Sequence, residues 1–359
     1  MIYMKVRCPN YNTAFHCLGG SCPDTCCRDW SVVPDEDALA DYAAAPSPLR
    51  ERIAQNLDTD DDGDVCFRLD EQGMCALLTP DGLCAIQRDW GEAHLCAHCA
   101  AYPRFIEEYG CLTETALAVS CPEAARLLRE QPRFVLLETD DGAAGAPFDG
   151  VDADLLAGLE HSRAAVLALL NEEAISLWER LQITLAFAAE LQEHIDRGAY
   201  QRLAACSMPN LTQTQTLSAE RQALAIRLLD ALSQLEPLRP DWPVLLRQRR
   251  AQLSALSQPD YAALCAGYAQ KRPRWERGLA NFACYLVFRH WHKTVNDDAL
   301  YGRAAFLCAA CLTVYHLALF QPENEDALWS RFSREVEHLD ENLDELIWSL
   351  PELFNETLG

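Results

Sequence analysis

The chain is short of positive charge: 30 lysines and arginines stand against 54 aspartates and glutamates, a net charge of -24 at pH 7. No Lys/Arg run offsets the excess, so a phosphate backbone is repelled and nucleic acid is not an expected partner. The opening residues, MIYMKVRCPNYNTAFHC, hold no apolar stretch that would serve as the core of an export signal, and the expected location is cytoplasmic. Long hydrophobic runs are scarce too. The longest uncharged one, Ala304 to Phe320, has 17 residues with His316 inside it, short of the ~20 that span a bilayer. It is read as a buried core helix, and no membrane association is expected. There is no internal repeat and no low-complexity tract.

Several binding signatures are missing as well. No glycine-rich strand-turn-helix is present: DGAAGAPFDG follows only a brief apolar piece and opens no clear helix, which argues against a dinucleotide-type fold. The radical S-adenosylmethionine spacing, three cysteines with gaps of three and then two residues, fails because Asp29 stands where a third thiol should follow Cys22 and Cys26. Asp58, Asp60, Asp62 and Gly63 open like a calcium-binding EF-hand loop, but the twelfth position is Leu69 instead of a bidentate glutamate. That stretch is read as a solvated acidic loop.

What the chain does have is cysteine. Seventeen thiols in a reducing compartment are hard to explain as disulfides and favour metal binding or catalysis. Twelve lie at or before Cys121. Cys206, Cys265, Cys284, Cys308 and Cys311 are scattered over the rest in helical apolar surroundings, where a free cysteine acts as a small hydrophobe.

The expected fold is mainly α: a loop-rich cysteine domain over 1–137, then an α-helical domain over 152–359. In the first part, helices are predicted at Asp35 to Ala45, Ser47 to Leu57 and Pro122 to Gln131, with little strand. Glu138 to Asp152, rich in Gly and Asp, is the linker candidate. Beyond it, leucines recur at helical spacing, as in Leu155, Leu156, Leu159, Val166, Leu167 and Leu170. Trp178, Trp242, Trp275 and Trp291 are expected in the core.

The early cysteines form two groups. CLGGSCPDTCC supplies Cys17, Cys22, Cys26 and Cys27, with Gly19 and Gly20 allowing the backbone to turn so that sulfurs converge. MCALLTPDGLCAIQRDWGEAHLCAHC supplies Cys75, Cys84, Cys96 and Cys99, and Cys121 follows directly before a helix. Thiolates in such loops suit zinc or an iron-sulfur cluster. His16, His94 and His98 lie close by and leave a mixed Cys/His zinc site open, although a polar neighbour beside the metal is the simpler reading of each.

On these residues the sequence resembles the flagellin lysine N-methylase family. The matching pieces are FHCLGGSCPDTCCRDW, MCALLTPDGLCAIQRDWGEAHLCAHCAAYPR and SCPEAARLLR, across roughly residues 14 to 131, with a weaker echo in NFACYLVFRHW. The resemblance implies transfer of a methyl group derived from S-adenosylmethionine to surface lysines of flagellin. It also implies a [4Fe-4S] cluster, with zinc as the alternative, and places Cys17, Cys22, Cys26, Cys27, Cys75, Cys84, Cys96, Cys99 and Cys121 on the family's cysteine positions. Cys8, Cys66 and Cys111 fall on none. The Cys-Cys doublet is also similar to small zinc- or iron-chelating proteins, which keeps a non-enzymatic binding or redox module, or a metal chaperone, as alternatives.

An enzyme of the implied kind needs a base for the lysine proton and a dry pocket. Glu92, Tyr102 and Arg104, within or just after the second cysteine group, are the candidate catalytic residues, with Trp30 and Asp24 in or beside the first group. No residue is singled out for holding S-adenosylmethionine. Nine thiols exceed the four a single cubane takes, so the remainder are spare, bind a second metal, or serve chemistry.

Overall fold

The computed structural model describes residues 3–60, 63–144, 150–209, 216–322 and 325–358. Mainly α architecture is found, as expected. Local signals start the long helices: Asp152 accepts from the amides of Asp154 and Leu155 to open α6 (Ala153–Leu170), and Ser176 with Glu179 forms a capping box on α7 (Leu177–Ile195). Then follow α8 (Thr216–Leu232), α9 (Trp242–Ser254), α10 (Gln258–Lys271), α11 (Trp275–His290), α12 (Leu300–Phe320), α13 (Glu325–Phe332) and α14 (Asp340–Leu358).

Helix α12 is apolar on all its sides, and such a helix belongs in the middle of a bundle. Here α7, α8, α11, α13 and α14 pack around it, and it is buried from Gly302 to Leu319. By length and composition it would also suit a membrane span, but 94% of its apolar window is buried inside the protein. A π-helical turn, Ser333–Glu337, joins α13 to the approach of α14.

The early helices are α1 (Glu36–Ala43), α2 (Leu49–Gln55), α3 (Ala85–Asp89), α4 (Ala97–Ala101) and α5 (Pro122–Glu130). The first part holds more strand than its sequence suggests. Strands β1 (Tyr3–Pro9), β4 (Arg104–Tyr109), β5 (Leu112–Leu117) and β6 (Leu136–Ala144) form one sheet in the order β4-β5-β1-β6, with β1 parallel to β5 and antiparallel to β6. Charged residues disguise these strands. Arg7 on β1 pairs with Glu138 on β6 at 2.8 Å, Glu114 on β5 at 3.1 Å and Glu160 on α6 at 2.8 Å, so residues that look solvated in sequence neutralise one another across the sheet. The linker candidate is therefore strand as far as Ala144, and 145–149 lie outside the described residues. In the acidic loop, Asp62 also lies outside the described residues; a small hairpin of β2 (Leu57–Thr59) and β3 (Val65–Phe67) flanks it.

Two cores result. The large one joins the bundle to residues of the sheet and α5, among them Tyr11, Leu117, Leu128, Phe288, Phe306 and Leu312. Cys284, Cys308 and Cys311 are buried in it as small hydrophobes; Trp178, Trp242 and Trp291 are buried there too, with Trp275 packed against it. The small core contains Tyr42, Leu49, Ile53, Phe67, Ile86 and Cys96, with Cys75, Cys84 and Cys99 packed on its flank. A buried ion pair fastens the sheet to the bundle: Arg163 of α6 donates to Glu114 of β5 at 2.6 Å, and each side chain is only 2% exposed.

Candidate metal centre

Three local devices bring the cysteine loops together. First, the turn Gly19–Ser21, closed by Cys22 N donating to Gly19 O at 3.0 Å, seats on the turn from Thr79 to Leu83 that leads into Cys84. The fit requires glycine on both sides: a Cβ on Gly20 would stand 2.4 Å from the Asp81 carbonyl oxygen, and Gly82 has φ +76° with Gly20 Cα 3.2 Å from where its own Cβ would be. Second, Cys75 N donates to Cys27 O at 2.9 Å and Asp29 N to Gly73 O at 2.8 Å, which ties the doublet to the second cysteine loop.

The third device comes from the π-helical turn. Arg334, 1% exposed, donates from Nη2 to Asp24 O at 2.8 Å, from Nη1 to Thr25 O at 3.2 Å and from Nε to Ser120 O at 3.0 Å. The next residues along the chain are Cys26 and Cys121, so one guanidinium holds two distant cysteine segments side by side. Its carbon lies 5.0 Å from the Trp30 ring centre, and Arg239 adds a second tie to the Asp24 carboxylate at 2.8 Å.

The electrostatics divide the nine thiols in two. Cys17 acts on Cys22, Cys26 and Cys121, and Cys22 acts on Cys121. Cys27 acts instead on Cys75, Cys84 and Cys99, while Cys84 is coupled to Cys75, Cys96 and Cys99. The neighbours Cys26 and Cys27 share a proton across the divide: the Cys26 thiol donates to Cys27, whose pKa falls to about 7 while that of Cys26 rises. In the same way the Cys99 thiol lowers Cys96 to about 6 and is itself raised.

Burial pushes Cys75 and Cys121 up to about 11 and raises Cys22 and Cys84, but backbone amides work the other way. Those of Leu77 favour the Cys75 anion, those of Ile86 and Gln87 the Cys84 anion, and those of Glu123 and Ala124 the Cys121 anion. Cys84, Cys96 and Cys121 each precede the first turn of a helix, where amides have no helical acceptor. Among the described residues no three His, Cys, Asp or Glu side chains are closed around one point as a finished metal site. The donor set, neighbouring thiols with anion-favouring amides around them, is nevertheless the chemistry a thiophilic metal needs, and it fits zinc or an iron-sulfur cluster.

The histidines near the cysteines have other surroundings. His94 Nδ1 is 2.7 Å from Asp41 Oδ2 and its ring stacks on Trp90 at 3.7 Å, while His16 and His98 are exposed. Of the candidate catalytic residues, Tyr102 meets the first thiol group. Cys121 and Cys26 act on its hydroxyl, which burial pushes well up and which lies 3.1 Å from Ser120 Oγ. Glu92 is exposed on the turn Glu92–His94, and Arg104 is exposed on β4 with its guanidinium over the Phe15 ring.

Sequence reasoning missed the bundle's contribution. His338, which follows the π-helical turn and reaches solvent, places Nε2 2.7 Å from Ser120 Oγ and its ring 5.4 Å from that of Trp30; partial desolvation and the Arg289 and Arg334 charges lower its pKa. Behind it Glu337 is fully enclosed. Burial works against its charge, but Arg289, His290 at 2.9 Å and Ser333 at 2.5 Å hold it at about 2. Ser333, Arg334, Glu335 and Glu337 are all buried here despite their polarity. A π-turn, which puts its side chains inward against helical spacing, could not be anticipated from periodicity.

Fold and site together define a mainly helical protein whose bundle clasps a set of cysteine loops. Residues 163–356 match the FliB lysine N-methylase C-terminal domain family, more than half of the chain. Over 136 residues, 36% of this chain, the protein is 29% identical to a lysine-N-methylase of Salmonella typhimurium, covering 34% of that protein. Over 140 residues it is 28% identical to the flagellar biosynthetic protein FliU of Salmonella muenchen, covering 79% of it. A lysine-N-methylase of Salmonella choleraesuis is 29% identical over 136 residues. The match thus spans about a third of the length of the lysine-N-methylases. No solved structure matches. The chain belongs to the FliB lysine N-methylase family.

Proposed function

We propose that the protein is a cytoplasmic protein-lysine N-methyltransferase that methylates surface lysines of flagellin, with the methyl group derived from S-adenosylmethionine and a [4Fe-4S] cluster on its thiols. The observation that carries this reading, beyond family membership, is the meeting of four thiols, Cys17, Cys22, Cys26 and Cys121, with the Tyr102, Ser120 and His338 chain at the clasp made by Arg334. These four cysteines would hold the cluster, which when bound supplies Lewis-acidic iron and an electron store.

The remaining work falls to the chain itself. An incoming lysine must lose its proton before its nitrogen can take the methyl carbon from the sulfonium donor, which leaves as a thioether. The chain of Tyr102, Ser120 Oγ and His338, flanked by the Trp30 ring, orients the lysine amine, which gives its proton to solvent and attacks as the free base. Glu92 and Arg104 are both exposed, which supports a role in meeting the protein substrate over one at the reacting amine. The excess of acidic residues favours a lysine-bearing surface as partner.

The test is co-expression with flagellin followed by intact-mass and peptide analysis. Methyl increments on surface lysines are expected with the native chain, and a tenfold or greater loss with His338→Ala or Tyr102→Phe. Unmodified flagellin in the presence of the native, metal-loaded protein would sink the reading.

A further inference from the structure

We infer that the chain holds two separate thiolate metal centres, and that the second takes a single tetrahedral metal ion of the zinc type on four of the five thiols Cys27, Cys75, Cys84, Cys96 and Cys99. The inference shares with the proposed function only the assignment of the cluster to the other four thiols, and it stands or falls on a different metal.

Packing carries it first. Cys121 belongs to the large core, whereas Cys75, Cys84, Cys96 and Cys99 all lie in or against the small one. A single centre would have to draw sulfurs across from one core to the other, past the Arg334 clasp that holds Cys26 beside Cys121. Two centres each gather sulfurs from one neighbourhood only.

The doublet supports the same division. Cys26 and Cys27, hydrogen-bonded to each other, stand where the two groups meet: Cys17 acts on Cys26, and Cys27 acts on Cys75, Cys84 and Cys99, while the Cys27 carbonyl accepts from Cys75 N at 2.9 Å. Cys84 is the hub of the second group, coupled to each of its other four thiols. Two cysteines two residues apart, Cys96 and Cys99, match the spacing with which structural zinc sites grip their metal.

The small core also needs a staple. Its helices α1 to α4 have eight, seven, five and five residues, and its two strands three each. Elements this short bury too little apolar surface to hold themselves together, and metal binding is the usual remedy when disulfides are not available. A closed four-thiolate site on a redox-inert ion serves that purpose. The first group differs: Cys17 is exposed and the polar chain of Tyr102, Ser120 and His338 adjoins it, as suits a working centre.

The experiment is metal analysis of the full chain, purified without air from cells supplied with iron and zinc. Zinc equimolar with the protein is expected in addition to cluster iron and sulfide. Cys84→Ser should lose zinc at least tenfold and keep its iron, and Cys121→Ser should do the opposite. Should Cys84→Ser fail to fold, cobalt(II) substitution of the native chain decides, since four thiolates give it an intense sulfur-to-metal charge-transfer band and a tetrahedral spectrum. Iron without zinc in the native chain, or zinc retained by a folded Cys84→Ser, overturns the inference. Zinc without iron removes the cluster from the proposed function and leaves the second centre standing.

Discussion

The large core is organised around α12, a helix packed among leucine, alanine and aromatic residues, and it holds charges paired inside, as Glu114 with Arg163 and Glu337 with Arg289. The small core has helices of eight residues or fewer, and its flank is lined with sulfur where the large core has leucine. The difference lies in what supplies cohesion. Buried apolar area stabilises by about 25 cal/mol per Å², so a core that buries little must draw its stability from elsewhere. The bundle holds itself by area, and the cysteine loops are expected to be held by metal.

The sharpest way to break this comparison is to remove metal. Chelation under reducing conditions should strip hydrogen-exchange protection from α1 and α2 by orders of magnitude while α12 amides stay protected; equal loss in both would show one cooperative unit.

Next in size is the ion pair that belongs to the large core alone. Glu114→Ala strands Arg163 in the interior and is expected to cost about 3–5 kcal/mol in denaturant unfolding of the bundle. A loss under 1 kcal/mol would mean that the pair is not enclosed as described.

A pH change should separate the cores again. Burial lowers His290 and His316 to about 4, whereas an unfolded histidine titrates near 6.5, so the unfolded chain takes protons first as pH falls. The stability these residues contribute is complete above pH 6.5 and is lost toward pH 4, about 2 kcal/mol for each histidine between pH 7 and 5. Bundle unfolding monitored at those two values checks it.

The smallest expected effect is Gly82→Ala. With φ at +76° and Gly20 pressed against it, the change should cost roughly 1–2 kcal/mol, confined to the cysteine loops. Slower metal uptake with unchanged bundle stability would be its signature.

The cysteine loops, the helical half and the burial of Ala304 to Phe320 were legible in the sequence, because thiol spacing and helical periodicity are local patterns. The sheet was not. Lys5, Arg7, Glu114 and Glu138 carry charges that look solvated until strands distant in sequence bring them together. The division of the thiols was hidden for a similar reason. Cys26 and Cys27 are adjacent yet are influenced by different thiols, and a guanidinium from the far end of the chain ties the segment of Cys121 to that of Cys26. Tyr102 could be picked out beside the second cysteine group, but His338, its partner through Ser120, sits behind a π-turn with no periodic signal.

The pairing of Arg163 with Glu114 also bears on how such proteins are cut, recombined and inherited. The family match begins at Arg163, the residue whose carboxylate partner lies on a strand outside the matched stretch. A fragment started at that point would carry an orphaned guanidinium and a bare apolar flank where the sheet had been, and would be a poor candidate for soluble expression. The C-terminal stretch that the family match covers is thus smaller than the segment that folds, and swapping the helical half between relatives should succeed only when β5 travels with it.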